Sequence, residues 1–172
     1  MIWETILTTV DADGRPHITP LGIREERGFT VLSPFRPSGT LDNVLATRVA
    51  VVNFTDDVRV FAGVLTGRRD WPLQPAQVVP CVRLAHSLAH RELELVEVED
   101  DEVRPRLFCR TLHEAGHGRF PGFNRARSAV IEAAILVSRL HMLSPEKIDA
   151  ELAYLQIAID KTAGPSELEA WG

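Results

Sequence analysis

Two stretches of this chain place reactive side chains close together. The first is His113-Glu114-Ala115-Gly116-His117, a match to H-E-x-x-H. On a helix, that spacing puts two imidazoles one turn apart on one face, with the glutamate beside a metal-bound water, as in zinc hydrolases. Here Gly116 lies inside the motif, Gly118 follows it, and Pro121 and Gly122 come next. Each glycine costs a helix about 1 kcal/mol and each proline about 3. The third ligand of the extended zinc-protease pattern would fall at position 123, which is Phe123. The stretch therefore reads as a Gly- and Pro-shaped surface loop packed between a β part and a helical part, with no metal assigned. His86 and His90 repeat the four-residue spacing, and in a strand residues four apart share a face. A composite site, and with it a zinc hydrolase, stays open as the weakest alternative.

The second stretch is Ser33 to Asp57, SPFRPSGTLDNVLATRVAVVNFTDD. Ser38, the amides around Gly39, and Thr40 precede a short predicted helix, Thr40 to Arg48. A helix N-terminus with adjacent hydroxyls binds anions, phosphate monoesters among them. Asn43 lies on the same side of the first turn, and Arg36 and Arg48 are candidate counter-charges. The same residue types also make ordinary turns and caps.

The elements around these stretches divide the chain in two. Glu4 to Val10 and His17 to Ile23 flank Asp11-Ala12-Asp13-Gly14 and read as a β-hairpin. Gly28 to Ser33, Val49 to Phe54, Arg59 to Leu65, Gln77 to Leu84 and Leu88 to Val98 are further strand candidates. Many short strands with turn-rich links argue for a barrel or sandwich. Arg127 to Leu143 is apolar around most of its circumference, as a helix buried on several sides would be. Ser144-Pro145 caps and starts another helix, striped by Ile148, Leu152, Leu155 and Ile159, and Gly164-Pro165 ends it. The expected boundary lies within residues 105–125.

The 172 residues are 45% hydrophobic and 25% charged, with a net charge of −5, the composition of a globular protein. No basic run suits nucleic-acid phosphates. No secretory signal or membrane-spanning run is visible. Cys81 and Cys109 form no redox or metal motif, which fits a reducing, cytoplasmic setting.

Ser38-Gly39-Thr40-Leu41-Asp42-Asn43 resembles the S-x-T-x-x-N loop of FMN-binding split-barrel flavoproteins. Val51-Val52-Asn53-Phe54 resembles their V-N strand, and Thr8 to His17 the opening hairpin of the pyridoxamine-phosphate-oxidase-like barrels. The DUF447 family joins such a barrel to a C-terminal helical region. Its tail is echoed by Phe123-Asn124-Arg125-Ala126, Ala129-Val130-Ile131-Glu132-Ala133 and Arg139-Leu140-His141. The resemblance implies a mainly β fold with helices: a split β-barrel over residues 1–108, followed by helices over 109–172 that pack on the barrel or on a dimer partner. It implies FMN as cofactor, with Ser38 and Thr40 on its phosphate and Asn43 supporting the loop. Asn53, Phe54 and Thr55 would lie along the ring or ribityl chain, Thr8 and Thr9 would line the cleft, and Arg24 is a further contact. It implies a flavin-dependent oxidoreductase acting on a small organic, pterin-related substrate, with NADH or NADPH as candidate reductant and a homodimer as the assembly. A non-catalytic flavin-binding or assembly dimer is the alternative. No catalytic residue is assigned; His17, His113, His117 and His141 are candidate proton donors.

Overall fold

The computed structural model describes residues 1–172 and divides them into two compact units. The first comprises residues 1–55 and 71–119 and holds eight strands: β1 (Trp3–Val10), β2 (Pro16–Glu26), β3 (Phe29–Leu32), β4 (Val49–Phe54), β5 (Leu73–Pro75), β6 (Val82–Leu84), β7 (Ala89–Glu99) and β8 (Arg106–Gly116). Six of them close a barrel in the order β1-β2-β3-β8-β7-β4, every pair antiparallel. β5 and β6 form a separate two-stranded ribbon.

Turn chemistry fixes the first two hairpins. The Asp11 carboxylate accepts from the backbone N–H of Asp13 and Arg15, both at 2.9 Å, and Gly14 takes φ 80°. Arg27 and Gly28 join β2 to β3 with φ 53° and 79°. Two successive positive φ values match the right-handed twist of the flanking strands. Between β3 and β4 lies helix α1 (Gly39–Thr47), which packs on β1 and β2.

Both faces of the barrel wall are covered. Leu7, Ile23, Leu32, Ala50, Val52, Leu93, Leu95 and Leu107 fill one side together with Leu41 and Val44 of α1. Val10, Val49 and Val51 point to the other side, where Val79 and Cys81 of the ribbon segment lie over them. This explains why β1 is buried on both faces from Thr5 to Val10. Arg91 on β7 and Glu114 on β8 pair at 2.7 Å on the barrel side, while their neighbours His90, Glu92 and His113 face the ribbon segment.

The second unit comprises residues 56–70 and 120–172. It holds α2 (Val58–Leu65), α3 (Arg125–Val137), a 3-10 turn at Leu140–Met142, α4 (Pro145–Thr162) and α5 (Pro165–Trp171). Asn124 caps α3 by accepting from Ala126 and Arg127 N–H, and its own amide donates to Thr162 O at the end of α4 (2.9 Å). Arg127 binds Glu167 of α5 at 2.8 Å and also Asp56. Ser144 and Pro145 start α4 as the sequence indicates.

Four expectations change. Arg59 to Leu65, read as a strand, is helix α2: Asp57 caps it, and Val58, Phe61 and Val64 recur at helical spacing on its buried side. Short apolar runs are ambiguous between the two periods. Of the expected strand Gln77 to Leu84, only Val82–Leu84 is β structure. The long apolar helix stops at Val137, and Gly164-Pro165 begins α5 as well as ending α4. The H-E-x-x-H stretch is neither helix nor loop: it runs along the second half of β8 and just beyond.

Candidate functional site

The residues singled out from the sequence fall into two groups. The first surrounds the start of α1. Ser38 is its N-cap, with Oγ accepting from Leu41 N–H at 3.2 Å, and Asp42 N–H bonds Ser38 O at 3.1 Å. The N–H groups of Gly39 and Thr40 precede the first intrahelical bond, so they point out of the helix end with its partial positive charge. Thr40 is buried, as is Asn43, whose amide donates to Thr9 Oγ1 at 3.0 Å. That bond ties α1 to β1 and leaves Asn43 a loop-supporting residue. His17 stands opposite Thr9 in the β1–β2 register, and its ring lies 3.7 Å from where a Cβ on Gly39 would be. A Cβ at position 39 would stand in ordinary van der Waals contact with the imidazole.

From the sequence, His17 is a candidate proton donor and nothing more. Its place at the helix start follows from the hairpin register, which the Asp-Gly turn already implied. The two arginines proposed as counter-charges are elsewhere. Arg36 pairs with Asp100 at 2.8 Å. Arg48 is the left-handed C-cap at the opposite end of α1 and donates to Leu95 O at 2.7 Å.

The second group lies on the ribbon side of the barrel wall. Thr8 and Asn53 are fully buried. Asn53 Nδ2 donates to Ile6 O and Thr8 Oγ1, both at 3.1 Å, and its Oδ1 accepts from Leu84 N–H at 2.7 Å. Thr8 Oγ1 donates to Val82 O at 2.6 Å. The pair thus holds β6 against the barrel. Phe54, next in β4, packs against the opposite, apolar core with Arg91 5.6 Å above its ring. Thr55 ends the first unit's opening segment. Arg24 is half-buried on β2 opposite Val31, away from both groups in the register.

Alongside Asn53, on the same face, lies a cluster that joins His90 to the H-E-x-x-H histidines, the composite left open by the sequence, but with Glu92 in it and without His86. His90 is opposite Asn53 on β4, Glu92 is opposite Val51, and His113 is opposite Glu92 on β8. His90 and Glu92 are fully buried. Glu92 accepts from three successive backbone N–H groups, Gln77 at 2.6 Å, Val78 at 2.7 Å and Val79 at 2.8 Å, and contacts His90 Nε2 at 3.0 Å. Burial opposes its charge, yet these donors win and hold its pKa at about 2. His90 Nδ1 lies 2.8 Å from Nε2 of the exposed His117. Burial first, then the charges of Arg83 and His90, lower the His117 pKa. His113 Nε2 is buried without a hydrogen-bond partner. The thiols offer no nucleophile: burial pushes Cys81 up to about 11 and Cys109 up to about 12.

A closed antiparallel barrel with a helix between its third and fourth strands, followed by helices, is the split-barrel fold. A putative-flavin-reductase split barrel from Shewanella frigidimarina has a TM-score of 0.57 at 12% identity, over 72% of this chain and 74% of that one. The 2-nitrobenzoate 2-nitroreductase of Pseudomonas fluorescens gives 0.57 at 18% identity, over 66% of this chain and 64% of that one. Family models place the chain further. One described as the N-terminal domain of a protein of unknown function, DUF447, matches residues 3–117, and its C-terminal counterpart matches residues 124–172. The chain belongs to the DUF447 family. An FMN-bound DUF447 protein of Methanosarcina mazei superposes with a TM-score of 0.84 at 20% identity, covering 99% of this chain and 91% of that chain. Curated protein sequences gave no match.

Proposed function

We propose that this protein binds FMN through the start of α1 and acts as a flavin-dependent oxidoreductase on a small organic substrate. The observation that carries the reading is the α1 N-terminus on a fold shared over nearly its whole length with an FMN-bound relative. The residues fit a phosphate monoester. Gly39 and Thr40 present backbone N–H groups, Ser38 and Thr40 add hydroxyls, and the His17 imidazole stands beside them. Thr9 and Asn43 brace the turn from within. Bound flavin would supply hydride or single-electron acceptance. The chain's own part is to fix the phosphate, exclude water from the buried side of the turn, and hold His17 where it can carry a proton or a positive charge.

The reading includes a homodimer, supported by the second unit. There an open apolar groove of about 510 Å³ is lined by Leu65, Val130, Ala133, Val137, Leu152 and Trp171, a surface that favours cover by another protein face.

The test compares FMN with riboflavin, which lacks the phosphate. Ser38→Gly keeps most of the cap's stability, and Thr40→Val keeps the side-chain shape. The double variant should weaken FMN by roughly 100–10,000-fold, as expected for two hydrogen bonds to a charged group, and leave riboflavin unchanged. Equal losses for both ligands refute the phosphate assignment. Anaerobic titration with NADH and NADPH, then reoxidation by organic acceptors, tests the oxidoreductase half. Bound FMN that neither donor reduces would leave a flavin-binding dimer as the function.

A further inference from the structure

The cluster on the ribbon side of β7 and β8 has no part in the FMN reading, and it is built like a metal centre. One donor atom each from His90, Glu92 and His113 lies within 4.8 Å of the other two. His90 and Glu92 are two apart on β7, and His113 faces Glu92 across the ladder, so all three leave the same face of the sheet. Two imidazoles and a carboxylate on rigid neighbouring strands form a donor set that zinc and iron(II) accept.

The outer contacts of these side chains are already made. His90 Nδ1 meets His117 Nε2 at 2.8 Å, and Glu92 Oε2 takes the Val78 and Val79 N–H groups at 2.7 and 2.8 Å. Ligating histidines characteristically use their second nitrogen this way, which fixes the ring and its tautomer. The inward atoms are His90 Nε2 and Glu92 Oε1, 3.0 Å apart, with Oε1 also accepting from Gln77 N–H at 2.6 Å, and His113 Nε2, buried with no partner. With metal–ligand bonds of about 2.0–2.1 Å, tetrahedral donors stand roughly 3.3 Å apart. His90 and Glu92 already stand near that spacing, and His113 would have to close by at most about 1.5 Å from the 4.8 Å limit. Charge argues the same way. Glu92 is a fully buried carboxylate whose direct partners are three amides and an imidazole, with no lysine or arginine bonded to it. A divalent cation would balance it.

The geometry points to a divalent transition-metal site, zinc foremost, ligated by His90, Glu92 and His113 and oriented by His117. It differs from the zinc hydrolase motif in that the ligands come from two strands, and Glu114 points away to Arg91 on the other face. By gripping Glu92, the metal would also pin the Gln77–Val79 turn.

The test uses the full-length protein, stripped with chelator, loaded with zinc and dialysed. Metal analysis should give one zinc per chain, and cobalt(II) should give the visible absorption of a low-coordinate site. His117→Ala should weaken zinc by roughly 10–100-fold, the usual effect of losing an orienting partner. His113→Ala should abolish stoichiometric binding, while His86→Ala should change nothing. Zinc should raise the melting temperature of the wild type and not of His113→Ala. FMN content, measured in parallel, should be the same in every variant, so failure here is separable from failure of the flavin reading. If His113→Ala does not fold, His113→Gln and His117→Ala carry the comparison. Sub-stoichiometric zinc in the wild type, or undiminished affinity in His113→Ala, would overturn the proposal and leave a hydrogen-bonded histidine–glutamate cluster.

Discussion

Replacing Glu92 by glutamine tests whether this buried carboxylate organises the ribbon segment. Glu92 takes four short contacts: Gln77, Val78 and Val79 N–H, and His90 Nε2. Glutamine keeps the shape but offers one acceptor oxygen and one NH2 group. If the oxygen serves Val78 and Val79, the NH2 faces the Gln77 N–H and His90; reversed, it faces two N–H groups. His90 can change tautomer and accept, so one or two buried donors end unpaired. Each such donor costs about 1–3 kcal/mol, which gives about 1–6 kcal/mol in all. Urea denaturation of the metal-free protein should show a lower midpoint at unchanged slope, and the amides of residues 77–79 should exchange faster. Glu94→Gln is the control. It lies on the same strand but pairs with Arg110 at the surface, where an ion pair is worth about 0–1 kcal/mol. If Glu92→Gln is no more damaging than Glu94→Gln, the carboxylate does not organise the segment and the reasoning fails.

Asn53→Ala removes the acceptor for Leu84 N–H and the donor to Ile6 O; it should cost about 1–3 kcal/mol of stability, read by denaturation, with FMN loss following only from loosening of β6. Arg127 holds the Glu167 carboxyl below its ordinary value of 4.5, with burial opposing. A depressed folded pKa gives stability that is present above pH 4.5 and lost as pH falls through the lower folded value. The acid slope of the helical unit should therefore flatten in Glu167→Gln, measured by circular dichroism. Light scattering of the FMN-bound protein should give about 38 kDa, twice the 19.1 kDa chain mass; a value near the single-chain mass rules out the dimer. Charge at Ile131 then locates the shared face: dissociation with the barrel folded places it at the interface, and global unfolding places it in the core.

Local chemistry was legible wherever a short stretch decides its own shape. The Asp-Gly turn gave the first hairpin, the Ser38 loop gave α1, and Ser144-Pro145 gave the start of α4. The strand misread as β at 59–65 is seven residues of Val, Phe, Leu, Ala, Gly and Arg, too few to separate a period of two from one of 3.6. Residues 77–81 look extended in sequence, yet the N–H groups of Gln77, Val78 and Val79 are spent on Glu92, a partner thirteen to fifteen residues away that no local pattern reveals. Ser38, Thr40, Thr9 and Asn43 converge on one place, whereas Thr8 and Asn53 lie behind the barrel wall. Alternation along β1 was visible, but which face looked toward α1 depended on closing the barrel.

The histidine cluster shows the same limit more sharply. Glycine and proline content correctly excluded a helix through His113 and His117, but whether the stretch became loop or strand rested on pairing with β7. Even given a strand, simple alternation would put Thr111 and His113 on one face. The ladder instead sets Thr111 opposite Leu93 and His113 opposite Glu92, neighbours that leave opposite faces, because Leu112 is an extra residue at a β-bulge. The bulge turns His113 toward Glu92 and His90. Deleting Leu112 would leave the flanking pairs regular, so the strand should still form. With Leu112 gone, His113 directly follows Thr111 and leaves the opposite face, the face of Glu92, so a metal centre built on that face should keep its affinity; zinc lost while the barrel stays folded would show that the face alone does not aim His113.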